Sequence, residues 1–319
     1  MKVCIVGGSG FVGTQLVNCL AGQSVSVDVL CRYPGARRDL SVAPKSRLYA
    51  VDVYDQQALR TRFVGADAVI NLVGILNEKP HDGSGFELAH VQLLNHLATA
   101  CEQAGVKRFI QMSALNANHA IDSSSSHYLR TKGEAEVVLH QRKLDVTIFR
   151  PSVIFGAQDS FLNRFHGLLK IAPFLPLACP QSRFQPVFVG DVVRSFSTAL
   201  TTHGTIGQSY DLVGPKTYTL LELVQYVMKL TATKRPIVGL PDWASRLQAS
   251  IFEWLPGKPF SKDNYRSLQR DSISDNNGLP ILGIEPTALE AIAPGYLGAR
   301  SRAARYQNFR RHAARTQAN

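Results

Sequence analysis

Three regularly spaced glycines directly after a short apolar strand set the first constraint on this chain: Lys2-Val-Cys-Ile-Val6, then Gly7-Gly-Ser-Gly10-Phe-Val-Gly13. Val3, Ile5 and Val6 are β-branched, and the run is almost wholly apolar, as in a strand buried on both faces. Phe11, Val12 and Gly13 open a helix that carries Val12, Leu16, Val17 and Leu20 on one side. In such a turn one glycine permits the bend, one lets backbone approach a pyrophosphate, and one lets helix and strand pack closely. The free N–H groups of the helix start add a partial positive charge. Gly7, Gly10, Phe11, Val12 and Gly13 are therefore the expected dinucleotide-binding residues.

The first half continues as alternating strand and helix. Strands are predicted at 25–31, 47–53, 66–73, 107–112 and 144–149, with helices over 86–104 and 127–141. Ser123–Ser126 offers capping hydroxyls to the second of these helices. This alternation predicts an α/β fold: a Rossmann-type, doubly wound parallel sheet with its ligand at the carboxyl ends of the strands. After Arg150-Pro151 the prolines crowd and the pattern loosens. A strand is expected at 185–189 and a helix at 191–200; a further strand (208–213) and helix (219–230) follow. The expected division is a dinucleotide-binding domain over 1–150, a smaller irregular α+β domain over 151–297 interleaved with it, and a basic tail over 298–319.

Arg32 follows the second strand, where a carboxylate would accept from the adenine ribose hydroxyls and repel a 2′-phosphate. The local run Cys31-Arg-Tyr-Pro-Gly-Ala-Arg37-Arg38 holds three arginines and no acid before Asp39. A guanidinium grips phosphate through two parallel hydrogen bonds, so NADP(H) is expected over NAD(H). Asp52, after the third strand, is a candidate acceptor for the adenine amine or a turn residue. Tyr128 and Lys132 stand four apart and share a helix face. An ammonium beside the phenol would lower its pKa and suit it to proton exchange, with Ser113 at the end of the fifth strand holding a substrate oxygen. These three form the candidate catalytic set. No metal site is expected, since neither the nine histidines nor the five scattered cysteines show ligand spacing.

With these residues in place the chain resembles the extended short-chain dehydrogenase/reductases: the glycine turn, Ser113, Tyr128-x-x-x-Lys132 and Arg150-Pro-Ser-Val-Ile-Phe-Gly156. It is similar in particular to the atypical branch that contains the NADPH-binding accessory subunit of respiratory complex I and its bacterial relatives. Ser113-Ala-Leu-Asn-Ala-Asn118, Phe155-Gly-Ala-Gln-Asp159, Phe161-Leu-Asn163-x-Phe165 and Gln185-Pro-Val-x-Val189 carry that likeness. The resemblance implies Tyr128 as acid/base, Lys132 as its activator and ribose anchor, and Ser113 as the orienting hydroxyl. It equally implies a protein that holds NADPH for a structural purpose, alongside a membrane-associated respiratory or quinone-biosynthesis complex. Where the broader family often carries an asparagine, this chain has His90.

Six arginines and no acid lie between Ala291 and Asn319, more than half of the net charge of +11. This composition suits a solvated terminus, and the same charge would attract an anionic membrane surface. Nucleic acid is not an expected partner, because no recognition module accompanies the charge. The strand at residue 2 leaves no room for a targeting peptide, and no apolar run reaches membrane-spanning length. With the scattered cysteines this predicts a cytoplasmic protein, peripheral to the membrane if bound there. Asp191 is expected to cap its helix. Trp243, Leu247 and Trp254 form one helical stripe, expected to pack in the core, with Lys258 and Lys262 as a basic edge beyond it.

Overall fold

The computed structural model describes residues 1–298 other than 24, 38, 39, 41, 80, 119, 121–125 and 256–258, with backbone alone at 36 and 37. Arg38, Asp39, Ser123–Ser125, Lys258 and the arginines of the tail lie outside the described residues.

Seven strands make one sheet: β1 (Lys2–Val6), β2 (Ser26–Cys31), β3 (Ser46–Ala50), β4 (Ala68–Asn71), β5 (Arg108–Met112), β6 (Asp145–Pro151) and β7 (Ser209–Leu212). Their order is β7-β6-β5-β4-β1-β2-β3, and every neighbouring pair is parallel. The order reverses between β1 and β4, the switch point at which such sheets open a crevice for ligands. Helices cover both faces. On one side α1 (Phe11–Ala21) packs in a common core with a helix from beyond residue 151. On the other lie α2 (Gln56–Phe63), α3 (Leu93–Ala104) and α4 (His127–His140). The apolar strands read from sequence are buried on both faces because both faces meet helices: Val3, Cys4, Ile5 and Val6 are all inaccessible.

The chain after Arg150 returns to this sheet. It supplies β7 and, after α5 (Leu162–Ile171), the helix α6 (Val189–Thr201) that packs on α1. Asp191 lies in the first turn of α6, but its carboxylate does not cap that helix. It accepts from the Thr287 amide (2.7 Å) and hydroxyl (2.9 Å) and pairs with Arg194, fastening a later segment to the sheet domain. A smaller core gathers around α5, α7 (Leu220–Thr231) and, later in the chain, Leu289–Leu297. Thr219 and Glu222 cap α7 reciprocally, giving that helix a sharp start.

Beyond it stand α8 (Asp242–Phe252), α9 (Lys262–Leu268) and α10 (Leu289–Leu297). Here one expectation fails. The stripe on α8 is not core: Trp243 is 69% exposed, Leu247 53% and Trp254, just past the helix, 78%. Small residues, Ser245 and Ala249, face inward instead. No helix among the described residues is long and apolar enough to cross a membrane.

Candidate functional site

Parallel strands place their carboxyl ends along one edge of the sheet. Gly7 follows β1, Arg32 follows β2, Asp52 lies just past β3, Gly74 past β4 and Ser113 follows β5. Gly7, Arg32, Asp52 and Ser113, singled out from the sequence, therefore line one edge, although they span more than a hundred positions.

The glycine turn is built as its spacing predicts. Gly7 adopts φ +80°, open chiefly to glycine, and a Cβ there would meet the Val73 amide nitrogen at 3.0 Å. A Cβ on Gly13 would lie 2.4 Å from the Gly8 Cα, so the start of α1 rests directly on the turn. Gly10 is the N-cap and supplies no side-chain acceptor to the first amides of α1. These N–H groups, with the helix dipole behind them, suit a pyrophosphate.

Arg32 is exposed beside the ends of β2 and β3. Its charge reaches the Tyr54 phenol and partly offsets the upward push there from burial and Asp52. Asp52 forms a turn: its Oδ1 accepts from the Tyr54 amide at 3.0 Å. The side chain of Arg37 lies outside the description.

The candidate catalytic residues Ser113, Tyr128 and Lys132 lie just past β5 and on α4. Ser113 is buried, and its Oγ has no hydrogen-bond partner among the described residues. A hydroxyl left unmade in the interior is costly unless something else meets it. Lys132 is also buried; its Nζ donates to the carbonyls of Val73 (3.3 Å) and Met112 (3.2 Å), bridging the ends of β4 and β5. Burial pushes its ammonium down to about 8, against the upward pull of Glu136 one turn further on. Glu136 is itself gripped by Arg150 at the end of β6, with Nε 3.0 Å from Oε1. Neither Glu136 nor Arg150 was singled out as a site residue, though the i, i+4 spacing from Lys132 to Glu136 is a readable signal.

Tyr128 departs from expectation. Its phenol is pushed up to about 12, by burial first and by Asp263 second. The shift runs opposite to the one expected from the Lys132 ammonium. The group is therefore a proton-bearing phenol at neutral pH, fit to donate. It stands in an aromatic corner with Phe86 (centroids 6.2 Å) and His90 (5.6 Å).

His90 lies in a π-helical turn, Leu88–Gln92, between the short helix Ser84–Glu87 and α3. Such single-turn bulges recur at functional sites. Its Nε2 accepts from the Ile75 amide (3.2 Å), which leaves Nδ1 to carry the proton toward Thr131 Oγ1 (2.8 Å). Thr131 in turn donates to the His127 carbonyl. Burial and the nearby Lys132 push the imidazole down to about 2, so it is neutral at any ordinary pH. His90 is thus a fixed post between the loop after β4 and α4.

A residue that sequence reasoning passed over holds α4 in place. Asp263, on α9, accepts from the His127 amide (2.6 Å), the Tyr128 amide (3.3 Å) and the Ser126 hydroxyl (3.0 Å). Ser126 accepts from the Leu129 amide, the capping role predicted for the serine run. The same α9 reaches the loop after β4, where Asn264 Nδ2 donates to the Leu76 carbonyl.

The uncapped helix start, the glycine cradle and the buried Ser113 hydroxyl fit a nicotinamide dinucleotide laid along this edge. The NAD(P)H-binding family profile matches residues 7–160. Subunit 9 of the mitochondrial NADH dehydrogenase [ubiquinone] 1 alpha subcomplex from Rattus norvegicus is 30% identical over 295 residues, 90% of this chain and 77% of that protein. The Escherichia coli O157:H7 N-acetyl-alpha-D-glucosaminyl-diphospho-ditrans,octacis-undecaprenol 4-epimerase is 26% identical, over 83% of this chain and 84% of its own. Among solved structures, MoeE5 in complex with UDP-glucose and NAD superposes with a TM-score of 0.73 at 18% identity, over 93% of this chain and 97% of MoeE5, a likeness of fold. Turn, sheet order and relatives converge: this chain belongs to the NAD(P)-binding extended short-chain dehydrogenase/reductases, in the branch related to alpha subcomplex subunit 9 of respiratory complex I.

Proposed function

We propose that this protein holds NADP(H) as a structural cofactor and serves as an accessory or assembly partner of a membrane-associated respiratory or quinone-biosynthesis complex, on the cytoplasmic face. The observation that carries the reading is the relation to complex I subunit 9 along nine-tenths of the chain. The site supports it physically, since Lys132 and His90 are locked into the framework by β4, β5 and α4. In this reading the smaller domain after Arg150 and the basic tail meet the partner or its anionic membrane.

Arg32 is proposed to take the 2′-phosphate, and Asp52 offers its second carboxylate oxygen to the adenine amine. Arg32→Glu is expected to weaken NADPH binding about tenfold or more while leaving NADH affinity within about twofold. Calorimetric titration with both nucleotides measures this, and an equal loss for the two would reject the assignment.

A second reading is an active NADP(H)-dependent reductase, dehydrogenase or epimerase, and the buried, unpartnered Ser113 hydroxyl, next in the chain to the Met112 carbonyl that Lys132 binds, favours it. When bound, the dinucleotide supplies the hydride chemistry. Ser113 would hold the carbonyl oxygen, Tyr128 would give that oxygen its phenolic proton, and Lys132 would anchor the nicotinamide ribose. Tyr128→Phe separates the readings. Unchanged cofactor affinity with intact cellular function supports the structural role. Loss of cellular function with affinity intact, about a hundredfold in any measured turnover, makes the protein an enzyme.

A further inference from the structure

Both tryptophans of the chain, Trp243 and Trp254, stand on one exposed face with Leu247 and Ile251, which is 54% exposed. At 100° per residue Trp243, Leu247 and Ile251 fall within an arc of roughly 80° on α8, and Trp254 follows two residues past its end. Exposed large apolar residues are ordinary when scattered and informative when they share one stripe. Beside α8, Gln248 Nε2 donates to the Pro176 carbonyl at 2.9 Å, and shortly before Pro176 in the chain Phe174 is 51% exposed and Ile171 85%.

One flank of the stripe is basic. A groove of about 740 Å³ between α8 and α9 is lined by Arg246, Lys262, Arg266 and Arg270. Arg246 is paired with Asp242 (3.0 Å) and Lys262 with Glu253 (3.4 Å). Arg266 and Arg270 have no ion pair among the described residues. Four cations and no carboxylate among the lining residues of this groove, beside an apolar stripe, suit an occupant that is anionic at one level and apolar at the next. Indole rings with neighbouring cations are the side chains that settle at the headgroup boundary of a bilayer. Each such cation near an anionic leaflet adds favourable attraction.

We infer that the α8–α9 face docks onto an anionic lipid bilayer, with Trp243, Leu247, Ile251 and Trp254 entering the interface and Arg266 and Arg270 taking lipid phosphates. The inference stands on this face alone and holds whether or not the site above turns over. It is also distinct from attraction through the tail, which involves no tryptophan. Docking would bear on the site, because Trp254 stacks on His81 (5.1 Å between ring centroids) in the loop after β4.

The two tryptophans report on the test directly. Full-length protein is titrated with phosphatidylcholine/phosphatidylglycerol vesicles at low salt while emission and co-sedimentation are followed. The expected result is a blue shift, quenching by brominated acyl chains, and a clear preference over pure phosphatidylcholine. Leu247→Asp, at an exposed position that keeps both reporters, should lower vesicle affinity about tenfold. Arg266→Glu with Arg270→Glu should do the same, each with an unchanged melting temperature. Three results would overturn the inference. In one, the protein sediments with vesicles but its emission does not move, which assigns binding to the tail. In another, a blue shift grows with protein concentration in the absence of lipid, which assigns the face to a second copy. In the last, no shift and no sedimentation occur at any lipid concentration, which leaves the face to a protein partner.

Discussion

Gly13→Val should abolish measurable dinucleotide binding, the largest single effect anticipated at this site. A side chain at position 13 begins with a Cβ that would sit 2.4 Å from the Gly8 Cα and 2.6 Å from its carbonyl carbon, both backbone atoms. Backbone cannot step aside as the end of a flexible side chain can. The start of α1 must move off the turn, and the amides aimed at the pyrophosphate move with it. We expect at least about a hundredfold loss of affinity for NADPH and a loss of roughly 3 kcal/mol in stability from overpacking. Gly22, at the other end of α1, is the control. There a Cβ would meet only the Cys19 carbonyl, at 3.5 Å, and the backbone is α-like at φ −74°. Gly22→Ala should leave binding unchanged and stability equal or about 0.5 kcal/mol higher. Calorimetry and denaturant unfolding read both, and equal behaviour of the two variants would refute the packing argument.

The second large effect is anticipated at Asp263, more than a hundred residues from the helix it caps. Asp263→Ala would strip acceptors from two backbone amides and the Ser126 hydroxyl at the start of α4. The expected cost is roughly 3 kcal/mol, because three donors lose their acceptor at once, the Ser126 hydroxyl in a buried position and the two amides in partly buried ones. Amide exchange over His127–Leu129 should quicken with it. Asp263→Asn keeps an acceptor but removes the charge. Since the carboxylate disfavours the phenolate, this variant should lower the Tyr128 pKa from about 12. Alkaline difference absorbance against the parent follows that shift; an absent shift would show that burial alone sets the phenol, and an upward one would refute the role given to the carboxylate.

The half of the site made from local pattern was legible in the sequence. Strand, glycine spacing and helix are contiguous, so Gly7 to Gly13 could be read without knowing what lay opposite. Tyr128 and Lys132 were legible as neighbours on a helix for the same reason. Their protonation was not. The pairing of ammonium with phenol is a two-body argument, whereas the phenol responds first to burial and then to a carboxylate arriving from α9. His90 was visible only as a missing asparagine, because its partners Ile75 and Thr131 come from two different elements. The α8 stripe was misjudged for a different reason. A 3.6-residue apolar period identifies a face, not what the face meets. Here the inward side is made of Ser245 and Ala249, small enough for the helix to lie close to the body of the protein while its large side chains point away.

The π turn at Leu88–Gln92 decides how this helix can change in length. Its i to i+5 spacing stores one residue more than an α-helix of the same rise would hold. Removing a single residue from the turn would let it relax to ordinary α-helix, in which four residues cover about the angle and rise that five cover now. Phe86 would then keep its place opposite Tyr128, and Glu78 would keep the amides of Gly83, Gly85 and Phe86. An added residue has no such reserve. It would turn the segment before Leu88 by about 100° relative to α3 and carry Phe86 out of the corner it shares with His90 and Tyr128. Insertions, rather than deletions or changes of residue type, are the sharper instrument for dismantling the aromatic wall while leaving the sheet beneath it whole.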